Sequence, residues 1–310
     1  MIGSIEGAQR SILIEMYVFL DDTKHDFIGK IAQKAKEGVR VIIIADLFGS
    51  SELKKESVKK LRDSGVEFFF FNQWLRRTHR KIMIIDGETA FIGGVNIGRN
   101  FSLWSDLHLK ISNRAIVHSI ARSFANTYAA VGGKDHSILK MEKRKISSKL
   151  KSLIIHHWPS ARKRNRLKNL YVEKISRARK NIIITTPYLA PPFWLARLLR
   201  SAVDHGIEVE IIIPKKTNHV LADKINYFLM RRLNRAGIRF LLFPEMNHSK
   251  SLLIDDKECL IGSQNLDILS FYLNPELSII SKDKRLVRDF GRIIRGWKKI
   301  AVPLRHGSKQ

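Results

Sequence analysis

Short apolar runs and helical patterns take turns along the chain. "AQRSILIE" at 8–15, "EGVRVIIIADL" at 37–47 and "SGVEFFFFN" at 64–72 each pass from a polar or glycine-bearing stretch into a β-branched or aromatic run. That is the pattern of a buried strand following a helix. Between them lie helical stretches such as "FIGKIAQKAKEG". The same order returns about 170 residues later with "ARKNIIIT" at 178–185, "HGIEVEIIIPK" at 205–215 and "AGIRFLLFP" at 236–244, and "ADKINYFLMRRLNRAG" supplies a helix between the last two. Each half then closes on a strand and an amphipathic helix, "LHLKISNRAIVHSIARSFANTY" at 107–128 and "LSIISKDKRLVRDFGRIIRGW" at 277–297. In the second of these, Leu286, Phe290, Ile293 and Trp297 form the expected inward stripe. Strands alternating with helices predict an α/β fold, each half a mostly parallel sheet flanked by helices.

The repeat divides the chain into a first domain over 1–132, a basic linker with the first strand of the second half over 133–168, and a second domain over 169–310. Gly132 and Gly133 mark the boundary, and the linker holds the basic runs "KMEKRKISSKLK" and "ARKRNRLK" and a short apolar "SLIIHHW". A solvated face explains such charge runs as readily as a binding surface does. The start, "MIGSIEGAQRSILIEMYVF", lacks a basic segment before an apolar core, and no run reaches the roughly 18 apolar residues of a spanning helix. Any membrane contact is therefore expected to be peripheral.

Charge narrows the choice of partner. Across 310 residues, 56 Lys and Arg against 29 Asp and Glu give a formal charge of +27, which predicts a polyanionic partner: nucleic acid or an anionic membrane face. Non-specific nucleic-acid binding at low salt is expected on either reading, and no obligate protein partner is evident. The single cysteine, Cys259, excludes an internal disulfide and fits a reducing, cytoplasmic setting; its place in an apolar run reads as a buried strand residue.

Candidate chemistry lies in two matching stretches, "THRKIMIIDGETAFIGGVN" at 78–96 and "NHSKSLLIDDKECLIGSQN" at 247–265. His79, Lys81, Asp86, Gly93, Gly94 and Asn96 in the first correspond to His248, Lys250, Asp255, Gly262, Ser263 and Asn265 in the second. Side chains two apart on a strand share a face, so each histidine stands beside a lysine. The glycines let backbone approach a ligand, and the asparagines offer amide hydrogens. Two ammoniums, two amides and two imidazoles describe a pocket for a phosphate diester. One neutral imidazole attacks phosphorus, the other, protonated, releases the leaving oxygen, and Lys81 and Lys250 neutralise the non-bridging oxygens. A lysine two residues from each histidine repels a cation, so no metal and no other cofactor is expected. Each imidazole needs a partner on its other nitrogen. Asp106, 27 residues after His79, and Glu276, 28 after His248, are the candidates, each in the half of its own histidine. Asp86 and Asp255 fall at hairpin turns, which predicts a structural role.

These stretches resemble the paired His-x-Lys-x4-Asp motifs of the phospholipase D superfamily, and the resemblance covers nearly the whole chain, Asp106 and Glu276 included. It implies two α/β domains related by a pseudo-twofold axis, one shared active site at their junction, a phosphohistidine intermediate and no metal. "EMYVFLDD", "IGGVNIG" and "TPYLAPP" resemble the bacterial cardiolipin synthase branch. That implies a phosphatidyltransferase with phosphatidylglycerol as donor and acceptor, acting at the inner membrane face. A hydrolase or nuclease of the same fold is the alternative, and a non-catalytic binder the third reading. One departure stands out: "SLIIHHW" precedes the first helix of the second half, whereas the first half begins directly at "IGSIEGAQ", so an early strand is expected to be missing there. Trp74 and Leu75 before His79, "PPFWLARLLR" at 191–200 and "LSFYL" after Asn265 give an apolar rim with basic flanks, which suits a lipid better than a nucleic acid.

Overall fold

The structure, a computed structural model, describes residues 1–99, 101–143, 152–159 and 165–304. Its chain forms two compact units. The first comprises Met1–Leu103, His108–Leu150 and Asn274–Leu277; the second comprises Trp104–Leu107, Lys151–Leu273 and Ser278–Gln310. Each unit thus takes in a four-residue segment from the other half of the sequence. Residues 144–151 of the first basic run and 161–164 of the second lie outside the described residues.

The first unit contains α1 (Ile2–Glu6), β1 (Ser11–Met16), α2 (Phe27–Lys36), β2 (Arg40–Asp46), α3 (Lys55–Asp63), β3 (Glu67–Phe71), β4 (Lys81–Ile85), β5 (Thr89–Gly93), β6 (His108–Ile111), α4 (Arg114–Ala130) and α5 (His136–Leu139). The sheet order is β3-β2-β1-β4-β5-β6; the first three strands are parallel, and β4 to β6 continue them as an antiparallel meander. β1 and β2 are apolar almost throughout because both sheet faces are covered. On one face Ile12, Ile14 and Met16 pack with Ile5 of α1, Ile31 of α2 and Leu61 of α3, while α4 lies against β4 and β5.

The second unit contains β7 (Ser152–His157), α6 (Arg166–Ser176), β8 (Asn181–Thr185), β9 (Leu189–Ala190), α7 (Phe193–Asp204), β10 (Glu208–Pro214), α8 (Val220–Asn234), β11 (Arg239–Phe243), β12 (Ser251–Ile254), β13 (Glu258–Gly262), β14 (Leu266–Asp267), α9 (Ile268–Tyr272), β15 (Glu276–Ser281) from Ser278 onward, α10 (Lys284–Ile300) and β16 (Val302–Pro303). Its main sheet runs β16-β11-β10-β8-β12-β13-β15-β7. The central six strands repeat the order of the first unit, with β16 and β7 added at the edges. β7 corresponds to "SLIIHHW" and lies beyond β15 at the edge, whereas among the described residues the first sheet ends at β6. Ile182, Ile184, Ile211 and Ile213 pack with Leu167 of α6, Leu195 of α7 and Met230 of α8.

One predicted face is displaced. In α10 the buried residues are Val287, Phe290, Gly291 and Ile294, while Ile293 is exposed. Two apolar lines run side by side on this helix, and periodicity alone does not say which one the sheet covers.

Candidate active site

His79 stands two residues before Lys81, the first residue of β4, and shares its face, while Arg80 between them turns to the opposite, interior side. All three are buried. The His79 amide donates to the Pro275 carbonyl at 3.1 Å, and its ring Nδ1 lies 3.1 and 3.2 Å from the two carboxylate oxygens of Glu276. Tyr17 meets the imidazole edge-on at 4.8 Å between centroids. Lys81 Nζ donates to the His79 carbonyl at 2.7 Å and stands 4.9 Å from the centre of the Tyr17 ring. Asn96 follows β5, and its Oδ1 accepts the Val18 amide at 3.3 Å. That bond uses the amide oxygen and leaves the NH2 as the group with hydrogens to offer.

The second unit builds the same arrangement before β12. The His248 amide donates to the Ser105 carbonyl at 2.7 Å, and the Ser105 amide to the Met246 carbonyl at 3.0 Å. His248 Nδ1 lies 2.8 Å from Asp106 Oδ2. Trp104 packs on the imidazole with centroids 5.2 Å apart, and Lys250 Nζ donates to the His248 carbonyl. Asn265 is buried; its amide donates to Ser270 Oγ at 3.0 Å, and its Oδ1 has no hydrogen-bond partner among the described residues.

The carboxylates are exchanged relative to the expectation from sequence order. Glu276 serves His79 and Asp106 serves His248, each within one compact unit. Spacings of 27 and 28 residues fit either pairing; backbone bonds from His79 to Pro275 and from His248 to Ser105 decide it, by bringing in the segment that carries the acid. A carboxylate only accepts, so each Nδ1 carries the hydrogen that fixes the tautomer and orientation of its ring. Tyr17 and Trp104, the aromatic walls of the two histidines, were not singled out from the sequence. The polar residues beneath the first motif were not either, although Glu15 stands out as the lone acid of "SILIEM".

Asp86 and Asp255 sit in the hairpin turns with φ of 55° and 53°. The Asp86 carboxylate accepts the amides of Gln9, Arg10 and Ser11 at 3.0, 2.7 and 2.8 Å. Asp255 accepts those of Arg179, Lys180 and Asn181 at 3.0, 2.7 and 3.2 Å. Burial opposes ionisation of Asp86, yet the three amides together outweigh it and hold the carboxyl below its ordinary value. Each aspartate therefore ties its hairpin to the start of β1 or β8. Gly93 ends β5 and Gly262 ends β13. A Cβ at Gly262 would stand 2.3 Å from Ser278 Oγ and 2.5 Å from Gln264 Oε1, which leaves no room for a larger residue. Gly94 and Ser263, next in line, are buried. Burial pushes the Cys259 thiol up to about 12, far from reactivity. Among the described residues, no three His, Cys, Asp or Glu side chains gather as a metal site.

Of the apolar segments, Trp74 is 91% exposed and Phe193 75% exposed. Trp194 is half-buried; its Nε1 donates to the Tyr272 hydroxyl at 2.9 Å.

Two mixed α/β units, each presenting a carboxylate-held imidazole beside a buried lysine, are the design of the phospholipase D fold. The sequence profile described as "Cardiolipin synthase, PLD-like domain" matches residues 1–128 and 171–297, and the chain belongs to that family. Cardiolipin synthase of Clostridium perfringens is 34% identical over 307 residues, covering 90% of this chain and 63% of the relative. The major cardiolipin synthase of Bacillus subtilis is 32% identical over 321 residues, covering 94% of this chain and 65% of the relative. The chain thus spans somewhat less than two thirds of these relatives. In fold it is similar to the phosphatidylserine synthase of Haemophilus influenzae, with a TM-score of 0.76 at 16% identity over 98% of this chain and 84% of that one.

Proposed function

We propose that the chain is a phosphatidyltransferase of the cardiolipin synthase type, working through a phosphohistidine. Supporting this above all is the state of the two imidazoles: each is held at Nδ1 by a carboxylate whose side chain is at most 6% exposed, so that Nε2 is the reactive atom. The names of the relatives supply the substrate class. In this reading the two motifs serve one catalytic cycle. His79 Nε2 attacks the phosphorus of phosphatidylglycerol and forms an N–P bond, the P–O bond to the glycerol headgroup breaks, and His248, protonated, gives its proton to the departing oxygen. His248, now neutral, takes the proton of the acceptor hydroxyl as that oxygen attacks phosphorus and frees His79. Lys81, Lys250 and the amides of Asn96 and Asn265 stabilise the equatorial oxygens as charge builds there. Glu276 and Asp106 keep the imidazoles in the productive tautomer and stabilise their charged forms. A second phosphatidylglycerol as acceptor yields cardiolipin. Anionic lipid at the cytoplasmic membrane face is the proposed setting. No helix among the described residues is long and apolar enough to cross a membrane.

The test is product analysis by mass spectrometry after incubation with phosphatidylglycerol vesicles. Cardiolipin and glycerol are expected. His79→Ala and His248→Ala should each lower the rate by at least about a thousandfold, and the double variant should be little worse than either. Rapid His79-dependent cleavage of DNA with no lipid product would overturn the lipid reading and favour a nuclease.

A further inference from the structure

Helix α8 is apolar on two sides. Asn226, Met230 and Leu233, at i, i+4 and i+7, face the core of the second unit. Leu221, Ile225 and Phe228 repeat the same spacing on the opposite side, and there they are exposed, Leu221 by 71% and Phe228 by 67%. Val220, 74% exposed, precedes them. A helix of a water-facing surface carries charge on that side. Here Lys224, Arg232 and Arg235 are exposed around and beyond the apolar stripe, so the uncovered face is hydrophobic in its first two turns and basic in its last.

The covered side of α8 is tied to a segment that leads on to other exposed apolar residues. Asn226 accepts the Leu189 amide at 2.8 Å and donates to the Pro187 carbonyl at 2.9 Å, fixing α8 to the segment that leads into α7. β9 in that segment pairs with β14, which leads directly into α9. Phe193 opens α7, and Ile268 and Leu269 open α9; all three are exposed. Arg197 lies over the Phe193 ring at 6.0 Å and Lys168 over Trp194 at 5.5 Å, so cations edge this apolar group as well.

We infer that α8, with the first turns of α7 and α9, is a docking face for an anionic bilayer. Val220, Leu221, Ile225, Phe228 and Phe193 enter the boundary between headgroups and acyl chains, and Lys224, Arg232 and Arg235 meet lipid phosphates. A lipid surface is the occupant that matches both halves of this face, because a basic margin beside an apolar stripe is complementary to negative headgroups over hydrocarbon. The chain's charge of +27 adds long-range attraction of the same sign. This inference rests on the lipid reading of the function and assigns the surface by which the chain reaches its substrate.

The experiment is flotation with vesicles of phosphatidylglycerol and phosphatidylcholine, beside vesicles of phosphatidylcholine alone, using the whole chain and the variant Leu221→Gln/Ile225→Gln/Phe228→Gln. These side chains are exposed, and an unchanged melting curve confirms folding. The variant should bind the anionic vesicles about tenfold more weakly than the parent, and Lys224→Glu/Arg232→Glu/Arg235→Glu should remove the preference for anionic vesicles. Turnover of a short-chain soluble phosphodiester should stay within about twofold of the parent, since none of these residues adjoins a motif histidine in sequence or contact. Parental binding by the apolar variant overturns the inference, as does a parent that is dimeric and a variant that is monomeric with vesicle binding unchanged, which would make the face a contact between copies. Weakened binding in a chain that forms no lipid product leaves the docking face standing and removes the transferase reading. Cardiolipin formed on vesicles at the parental rate by the apolar variant does the reverse.

Discussion

Beneath the two motifs the units differ where their surfaces agree. In the first unit Glu15 pairs with Ile82 across β1 and β4; in the second Thr185 pairs with Ser251 across β8 and β12, the same place in the repeat. Glu15 is fully buried. It accepts hydrogen bonds from Thr78 and, at 3.0 Å, from Thr127, and it stands 3.7 Å from Arg80 Nη1. The second unit fills this layer with hydroxyls. Ser249 Oγ bonds Thr185 Oγ1 at 2.8 Å, Thr185 Oγ1 bonds Ser251 Oγ at 2.7 Å, and Asn247 accepts from Ser249. On the proposed function His, Lys and Asn recur because the chemistry demands them, and the aspartates recur because they close the hairpins. The layer below carries no such demand, and a charge pair occupies it in one unit and a hydroxyl chain in the other. The charged version is the more strained of the two: burial raises the Glu15 carboxyl and lowers the Arg80 guanidinium, each against the pull of the other. Arg80 also feels the Glu276 carboxylate, so the acid that holds His79 has a buried cation nearby where the second unit has Ser249.

Removing one partner of the charge pair should give the largest effect. Arg80→Met leaves Glu15 buried without its cation and should cost about 3–5 kcal/mol in denaturant unfolding. Glu15→Thr with Arg80→Ser copies the hydroxyl layer of the other unit and should recover most of that loss. A single Arg80 variant as mild as a surface change would show that the pair is not what satisfies this layer.

Asp46 gives the next contrast, because Pro214 holds the corresponding place in "EIIIPK". Burial raises the Asp46 carboxyl to about 6, against the amides of Gly49, Thr78 and Phe48 and the charge of Arg77. From the ordinary value near 3.8 up to about 6 the folded chain holds a proton that the unfolded chain has lost. Stability should therefore fall as pH rises through this window, by roughly 2–3 kcal/mol, and level off above it. Asp46→Asn should flatten that slope in melting curves taken between these limits; an unchanged slope would assign it to other groups. Smallest of the three, Ser249→Ala removes one neutral link and should cost about 1 kcal/mol. A loss as large as that of Arg80→Met would erase the distinction between the two layers.

Much of this was open to reading along the chain. The strand runs, the hairpin turns at Asp86 and Asp255 and the repeat of about 170 residues follow from local patterns, and the structure keeps all six strands of each half in one order. Less legible was anything that depended on which of two equivalent surfaces is covered. In α10 the sheet takes Val287 and Ile294 and leaves Ile293 outside. In α8, positions 226, 230, 233 and positions 221, 225, 228 have the same period, and only packing separates the covered line from the exposed one.

Sequence alone determined that each half presents an imidazole and an ammonium on one strand face, because a period of two residues admits no other arrangement. It determined the net charge of +27 and the repeat as well. Tertiary structure decided which carboxylate holds which histidine. That choice belongs to backbone hydrogen bonds between segments about 140 and 200 residues apart, Ser105 with His248 and His79 with Pro275, and no local spacing encodes a partner chosen at such separation.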